Sequence, residues 1–155
     1  MRYILVLLPF LFSCSLIQER INIASCKFSL KSASLKGVDL SGFNFTITLN
    51  AYNPNSIDAV LDRLVGLIKL DGYTIAQVSN SYKRVIKAGG NADIPIDVRV
   101  EYSSLGASIN AVKNAINRRS GNISFEGKAY IDYEIPIVGK KAFTYPINLS
   151  KTLSF

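Results

Sequence analysis

The chain contains no histidine and only two cysteines. Without an imidazole, neither a Ser-His-Asp nor a Cys-His arrangement can be assembled. Cys14 and Cys26 make no CxxC pair and have no histidine companions, which excludes a zinc centre of the usual ligand spacing. Long hydrophobic runs are missing as well. The unbroken apolar stretch from Tyr3 to Phe12 falls short of the about 20 residues a membrane span needs, and polar Ser13, Ser15, Gln18, Glu19 and Arg20 follow at once. Paired carboxylates are left for acid–base work. Most of them (Asp58, Asp62, Asp71, Asp93, Asp97, Glu101, Asp132, Glu134) fall on expected outer faces or in turns, where carboxylates are ordinarily solvated. Gly89-Gly90 lacks the lysine and the helix of a phosphate loop. The expectation is a protein that is not an enzyme and takes no metal and no cofactor.

What is present starts at the N-terminus. Arg2 precedes the apolar stretch, and the stretch ends at Leu11-Phe12-Ser13-Cys14. A charged start, a short apolar run and a small residue at the cut site make a secretory signal peptide over residues 1–13. Cys14 after it resembles the lipobox of bacterial lipoproteins, although Phe12 is larger than the residue usual there. The resemblance implies a diacylglycerol on the Cys14 thiol, and Ser15, which is not aspartate, implies sorting to an outer membrane facing the periplasm. Ile23-Ala24-Ser25-Cys26 is a competing match, but Glu19 and Arg20 separate it from the apolar run. In an oxidising compartment a Cys14–Cys26 disulfide is the alternative to lipidation. Three acyl chains, at about 0.8 kcal/mol per buried methylene, anchor far more firmly than one.

The rest is one domain. Residues 14–25 read as a tether and residues 26–155 as a single core of roughly 130 residues, an ordinary domain size. Hydrophobic residues make up 48% of the chain, enough to close that core. The net charge is +7, yet the basic residues are scattered. Lys83-Arg84, Arg118-Arg119 and Lys140-Lys141 are small separate pairs, without the clustered, aromatic-interleaved face that nucleic acid requires. Solubility and a general attraction to anionic headgroups account for the charge.

Period-two alternation dominates the domain. Cys26, Phe28 and Leu30 open a first strand that loosens toward a bend at Gly37. Phe43, Phe45, Ile47, Leu49 and Ala51 alternate with polar residues, one face in the core and one in water. Asn53-Pro54-Asn55-Ser56 stops that strand, because proline fixes φ and the asparagines bond their own backbone. Ile57 to Leu61 leads to an apolar segment, Leu64 to Leu70. Asp71-Gly72 then signals a type I′ hairpin into Tyr73 to Ala76, with a further short strand from Tyr82 to Ile86. Ile94, Ile96, Val98, Val100 and Tyr102 form another strand, which Pro95 places at an edge or a strand entry. Leu105, Ile109, Val112 and Ile116 then follow at helical spacing, with Ser103 or Ser104 as cap and Arg118, Arg119 and Gly121 as the end. Ile123, Phe125, Gly127, Ala129, Ile131 and Tyr133 share one face of a strand, and Ala142 to Leu149 makes the last. Seven or eight strands and one helix at these intervals imply an antiparallel β-sandwich of fibronectin-III or immunoglobulin type.

A signal-like start, an alternating strand ending in Asn53-Pro54-Asn55, an apolar strand closed by Asp71-Gly72 and one helix before the last strands resemble the late embryogenesis abundant group 2 family. This is the family of the WHy domain, whose bacterial members are often lipoproteins. The likeness runs from Cys26 to Leu149; Gly121, Gly127 and Gly139 are spread out where the family often has a glycine-rich stretch. It implies a folded sandwich with one added helix, linked to stress and desiccation without an agreed molecular activity.

Asn53, Pro54 and Asn55 have two uses, ending a strand or presenting amides to a partner. The stripe Leu105, Ile109, Val112 and Ile116 either packs on the sheet or encloses an apolar groove between helix and sheet. Tyr82, Tyr102, Tyr130, Tyr133 and Tyr145 are core-edge residues or a binding surface. The leading expectation is a non-enzymatic, lipid-anchored envelope domain that contacts proteins or lipids; the alternative is a carrier for a lipid or other apolar ligand. The partners implied are the membrane, through the N-terminal lipid, and a protein or lipid, with no nucleic acid.

Overall fold

A computed structural model describes residues 23–155. The signal segment and Cys14 lie outside the described residues. Seven strands form two antiparallel sheets. One holds β1 (Lys27–Val38), β2 (Gly42–Tyr52) and β5 (Asn91–Glu101), in the order β1-β2-β5. The other holds β3 (Ala59–Leu70), β4 (Tyr73–Ile86), β6 (Ser120–Ile135) and β7 (Gly139–Ser154), in the order β4-β3-β6-β7. This is the expected mainly-β sandwich, and the single α-helix of the described residues, α1 (Ile109–Arg118), lies where the chain crosses from β5 to β6.

The alternating positions fill the space between the sheets. Phe43, Phe45, Ile47, Leu49 and Ala51 of β2 are buried, as are Ile123, Phe125, Ala129, Ile131 and Tyr133 of β6. β5 is an edge strand, so Pro95, which has no N–H to donate, sits opposite Thr48 at no cost to a second ladder.

Two strands change parity on the way. In β1 the buried positions are Leu30 and then Ala33, because the pairing with β2 slips between Leu30 and Ser32. A second slip, between Leu35 and Gly37, is the bend expected at that glycine. In β3 the buried residues run Ala59 and Leu61, then Leu64, Ile68 and Leu70. The switch from odd to even occurs at Asp62, left over between the Leu61–Ile131 and Arg63–Tyr130 pairs. A bulge is what lets one strand turn different residues inward along its length. On the other side of β3 the same bulge faces Tyr82 and Lys83, and Lys83 takes a positive φ of 51° and bonds Asp62. Tyr73 to Ile86 is therefore one bulged strand, where the sequence suggested two short ones.

The turns show the expected chemistry in one place and not in another. Asp71 and Gly72 have φ of 49° and 84°, the double positive φ of a type I′ turn. Asp71 also accepts from Asn122 N–H at 2.7 Å and from Arg118 at 2.8 Å, tying the hairpin to the end of α1. By contrast, the turn between β6 and β7 is Pro136-Ile137-Val138. Ile137 has φ of 70°, a conformation that costs a β-branched residue about 1–2 kcal/mol.

The helix begins later than the serines implied. Two 3₁₀ turns, Tyr102–Ser104 and Gly106–Ser108, precede it, and Ser108 is its N-cap, without a side-chain bond. Gly106, at φ of 53°, breaks the run that Ser103 or Ser104 would have capped. Ser104 instead donates its hydroxyl to the Glu101 carbonyl at 2.7 Å. The helix closes on Arg119 in left-handed geometry, not on Gly121, which lies in β6 with Leu70 and Ala115 packed against its Cα. No helix of the described residues is long and apolar enough to cross a membrane.

Replacing Ile47, which has no exposure, by Asp is expected to unfold the domain. An unpaired buried charge costs several kcal/mol against a total stability of about 5–15 kcal/mol. Val98 is only half-buried at the β5 edge, so Val98→Asp should lower the urea midpoint much less. Equal losses in the two variants would contradict the assignment of β2 to the centre of its sheet.

Candidate functional site

Three chain segments meet at one end of the sandwich. β2 crosses to β3 through residues 53–58, β4 crosses to β5 through residues 87–90, and the N-terminal segment arrives at Ile23 and Ala24. The two crossings are hydrogen-bonded to each other, Asn53 N–H to the Gly90 carbonyl at 2.9 Å and Gly89 N–H to the Asn55 carbonyl at 3.1 Å.

Asn53 lies beneath them with no exposure, one of the few buried polar residues. Its Nδ2 donates to the carbonyls of Ile57, at 2.8 Å, and Ile86, at 3.0 Å. Its Oδ1 accepts from the backbone N–H and the Nδ2 of Asn55, at 3.1 and 2.9 Å. A primary amide offers two donors and an oxygen with two lone pairs, so every polar site of this side chain is used. Pro54 between the two asparagines holds φ and offers no N–H that would need a partner of its own.

Asn55 faces the other way and clips the N-terminal segment. Its Oδ1 accepts from Ala24 N–H at 2.8 Å, and its Nδ2 donates to the Ala24 carbonyl at 2.9 Å. The Nδ2 also lies 3.2 Å from the Tyr133 hydroxyl. Its two hydrogens serve three acceptors, so this longest contact is a shared one. Because the Tyr133 oxygen accepts there, its own hydrogen is available to the Cys26 sulfur, 3.2 Å away. The Tyr145 hydroxyl is buried beside the Tyr133 hydroxyl. Burial raises the pKa of the Cys26 thiol, against the opposing effect of its Tyr133 bond. The Tyr133 hydroxyl goes well above the ordinary phenol range, first through burial and then through Cys26. Neither group is poised for proton transfer near neutrality.

A cavity of about 590 Å³ opens beside this network, lined by Ile23, Ala24, Pro54, Asn55, Ile57 and Pro136 among others. It is a partly apolar cleft between the arriving N-terminal segment and the β6–β7 turn. The Asn-Pro-Asn motif thus contributes to a wall of the cleft, while the amides of its asparagines are engaged inside the protein.

The stripe expected to bound a groove sits at the opposite end. Leu105, Val112 and Ile116 are buried in the core and Ile109 is half-buried against it. Their apolar surface is in contact with the sheets. The tyrosines do not converge either. Tyr133 is core, Tyr130 lies under the Arg63 guanidinium at 4.4 Å, and Tyr102 under the Lys113 ammonium at 4.6 Å. Tyr82 and Tyr145 are half-buried on β4 and β7, on opposite margins of their sheet.

Carboxylates are distributed in the same manner. Asp39, Asp58, Asp62, Asp71, Asp93, Glu101, Glu126 and Asp132 each pair with a lysine or arginine. Asp39 is the most elaborate, bridging Arg99 and capping the β1–β2 turn through Ser41 and Gly42. Among the described residues no group of three or more His, Cys, Asp or Glu side chains could hold a metal ion.

A family model described as "Late embryogenesis abundant protein" matches residues 48–151, a stretch that holds the whole Asn53-Pro54-Asn55 motif and six of the seven strands in whole or part. Among solved structures, the fold is similar to the solution structure of AT1g01470 from Arabidopsis thaliana. The TM-score is 0.59 at 19% identity, over 83% of this chain and 80% of that one. It is also similar to an X-ray structure of the Northeast Structural Genomics Consortium target SoR45, with a TM-score of 0.53 at 15% identity over 84% and 86% of the two chains. No curated protein matches the sequence.

The two asparagines should separate in a mutational test. Asn53→Ala strands the buried Ile86 carbonyl and the partly buried Ile57 carbonyl, and at about 1–3 kcal/mol for each unsatisfied buried group it should remove a few kcal/mol of stability in urea titration. Asn55→Ala should cost less, because its Ala24 bonds are exposed, but should speed amide exchange at Ala24. If Asn55→Ala were the more damaging, the buried amide would not be the centre of the network.

The pH dependence follows from the same inventory. Asp39, Asp58, Asp62 and Asp93 have lowered pKa values, chiefly through hydrogen bonds from Arg99, Lys87, Lys83 and Lys31. Their contribution is present above the unfolded value of about 4 and is lost as pH falls through the folded one. Cys26, Tyr82, Tyr133 and Tyr145 are raised by burial. Their contribution is complete below the unfolded values, about 8.5 for thiol and 10 for phenol, and is lost as pH rises past them. With no histidine in the chain, the melting temperature should stay flat from about pH 5.5 to 8 and fall on both sides. A step near pH 6.5 in a thermal scan would contradict this.

Proposed function

The chain belongs to the late embryogenesis abundant protein family, and on that premise we propose that it is a lipid-anchored WHy-type domain of a bacterial cell envelope. It acts without catalysis in stress and desiccation tolerance, by contacts with proteins or lipids. The observation that carries the reading is the Asn55 clip. It holds Ala24 with two hydrogen bonds and so sets the place where the segment following Cys14 enters the domain. Such a clip is what a tethered module needs if its body is to keep one end toward its anchor.

Two further features support it. Cys26 is 5% exposed and bonded to Tyr133, a position with no room for a diacylglycerol thioether, which favours Cys14 as the acylated residue. The pairing of eight carboxylates with lysines and arginines, Asp39 and Glu101 sharing Arg99, favours a binding or structural role over acid–base chemistry. Outer-membrane placement with the body in the periplasm follows from Ser15, as read from the sequence.

The test is Cys14→Ala in the native host. The variant is expected to leave the membrane fraction and to lose incorporation of labelled palmitate, whereas Cys26→Ala should retain both. Full labelling of Cys14→Ala would refute the anchor.

A further inference from the structure

We propose that the β6–β7 turn, Pro136-Ile137-Val138, is a second membrane contact that dips into the lipid bilayer beside the acyl anchor. The inference rests on the anchored reading above and names the surface that faces the lipid.

The hairpin projects. β3 starts at Ala59 opposite Tyr133, but the β6–β7 ladder continues through Glu134–Lys140 and Ile135–Gly139. Ile135 is still buried, and at about 3.3 Å per residue the tip stands roughly 10 Å past the last β3 pair. Ile137 at the tip is fully exposed and Val138 is half exposed. A short hairpin turn ordinarily holds glycine, asparagine or aspartate where φ is positive. Here the residue at φ of 70° is a β-branched isoleucine, which gains nothing from the fold for the strain it carries. Glycine would fold better and asparagine would be more soluble. Isoleucine is superior only where its side chain leaves water.

The position of the tip identifies the medium. Ile23, Ala24, Ile135 and Pro136 line one cleft, so the tether enters the body next to the tip. Cys14 lies ten positions before Ala24, a reach of at most about 35 Å fully extended. Leu67, Tyr73 and Val85 are exposed singly along the strands, and a second group at a turn, Val38 and Leu40 between β1 and β2, lies at the far end. β2, from Gly42 to Tyr52, alone covers a comparable distance at about 3.3 Å per residue. Presenting Leu40 to the bilayer would stretch the tether to its limit, whereas presenting Ile137 requires no extension. Lys87, Lys140 and Lys141 are exposed at the tip's end of the body. Lys87 and Lys140 are paired with Asp58 and Asp132 and Glu134 sits opposite Lys140, so the end is only weakly positive. Apolar insertion therefore dominates, with Lys141 placed to meet an anionic headgroup.

The chain has no tryptophan, so Ile137→Trp, Val138→Trp and Leu40→Trp each carry a single indole. The acylated full-length variants would be reconstituted in vesicles of phosphatidylethanolamine and phosphatidylglycerol. Indoles at 137 and 138 are expected to shift to the blue and to be quenched by lipids brominated on their acyl chains, while that at 40 remains as in water. Vesicle-bound protein with all three indoles in water would overturn the inference and leave the anchor standing. So would a blue shift without bromine quenching, the result a second protein copy would give. Wild-type chain that fails to join the vesicles would overturn both. Circular dichroism of each variant shows whether it is folded, and the two tip positions guard against the loss of either.

Discussion

The structure depends on one buried amide. Asn53 sits where a sandwich is weakest, at the end where two chain segments cross from sheet to sheet and leave backbone groups without ladder partners. A buried carbonyl or N–H left unpaired costs about 1–3 kcal/mol, and water has little access beneath the crossings. The Asn53 side chain supplies the missing partners for Ile57 and Ile86 and orients Asn55. No other side chain of that size has both two donors and a two-fold acceptor. Aspartate would lose both donations and bring a charge; leucine would satisfy nothing. Asn55 then extends the same pattern outward to Ala24 and Tyr133, so the core and the N-terminal segment at Ala24 are joined through two amides.

That network explains why the motif was legible and why its use was only half so. The spacing of Asn53-Pro54-Asn55 after an alternating strand announces a turn, because each residue has a local reason to stop a strand. What the turn holds is not local. Ile86, Gly90, Ala24 and Tyr133 are distant in sequence, and nothing in the triplet says which of them it meets. Tyr133 was readable as a core residue from its alternation, but its hydroxyl link to Cys26 was not.

The bulges set a second limit on legibility. Strands with one parity, such as β2, show their inward face in the sequence directly. β3 does not, because Leu61 and Leu64 both point inward across Asp62. A reader who follows period two must break the strand there, and the same bulge breaks β4 at Lys83. The helix was legible as a stripe but not in its start. The positive φ of Gly106 and the 3₁₀ turns around Leu105 came from the need to bring the chain from β5 across the end of the core.

The two ends of the sandwich therefore have different physics. The helix end closes the core: Val112, Ala115 and Ile116 are buried as α1 packs on β6, and Asp71 and Arg118 fasten the helix to a hairpin. The stripe of α1 is taken up by the core, while Val38 and Leu40 stay exposed in the β1–β2 turn at the same end. The other end is closed by polar bonds, and bonds of that kind seal backbone groups without covering apolar surface. Ile57, Pro136 and the Ile137 tip remain around an open cleft there. Single exposed apolar side chains are ordinary on a protein surface, and Leu40 at the helix end is another. What distinguishes Ile137 is its place: on the anchored reading proposed above, the segment that carries the acyl chains meets the body beside this turn, so the bilayer would lie within its reach.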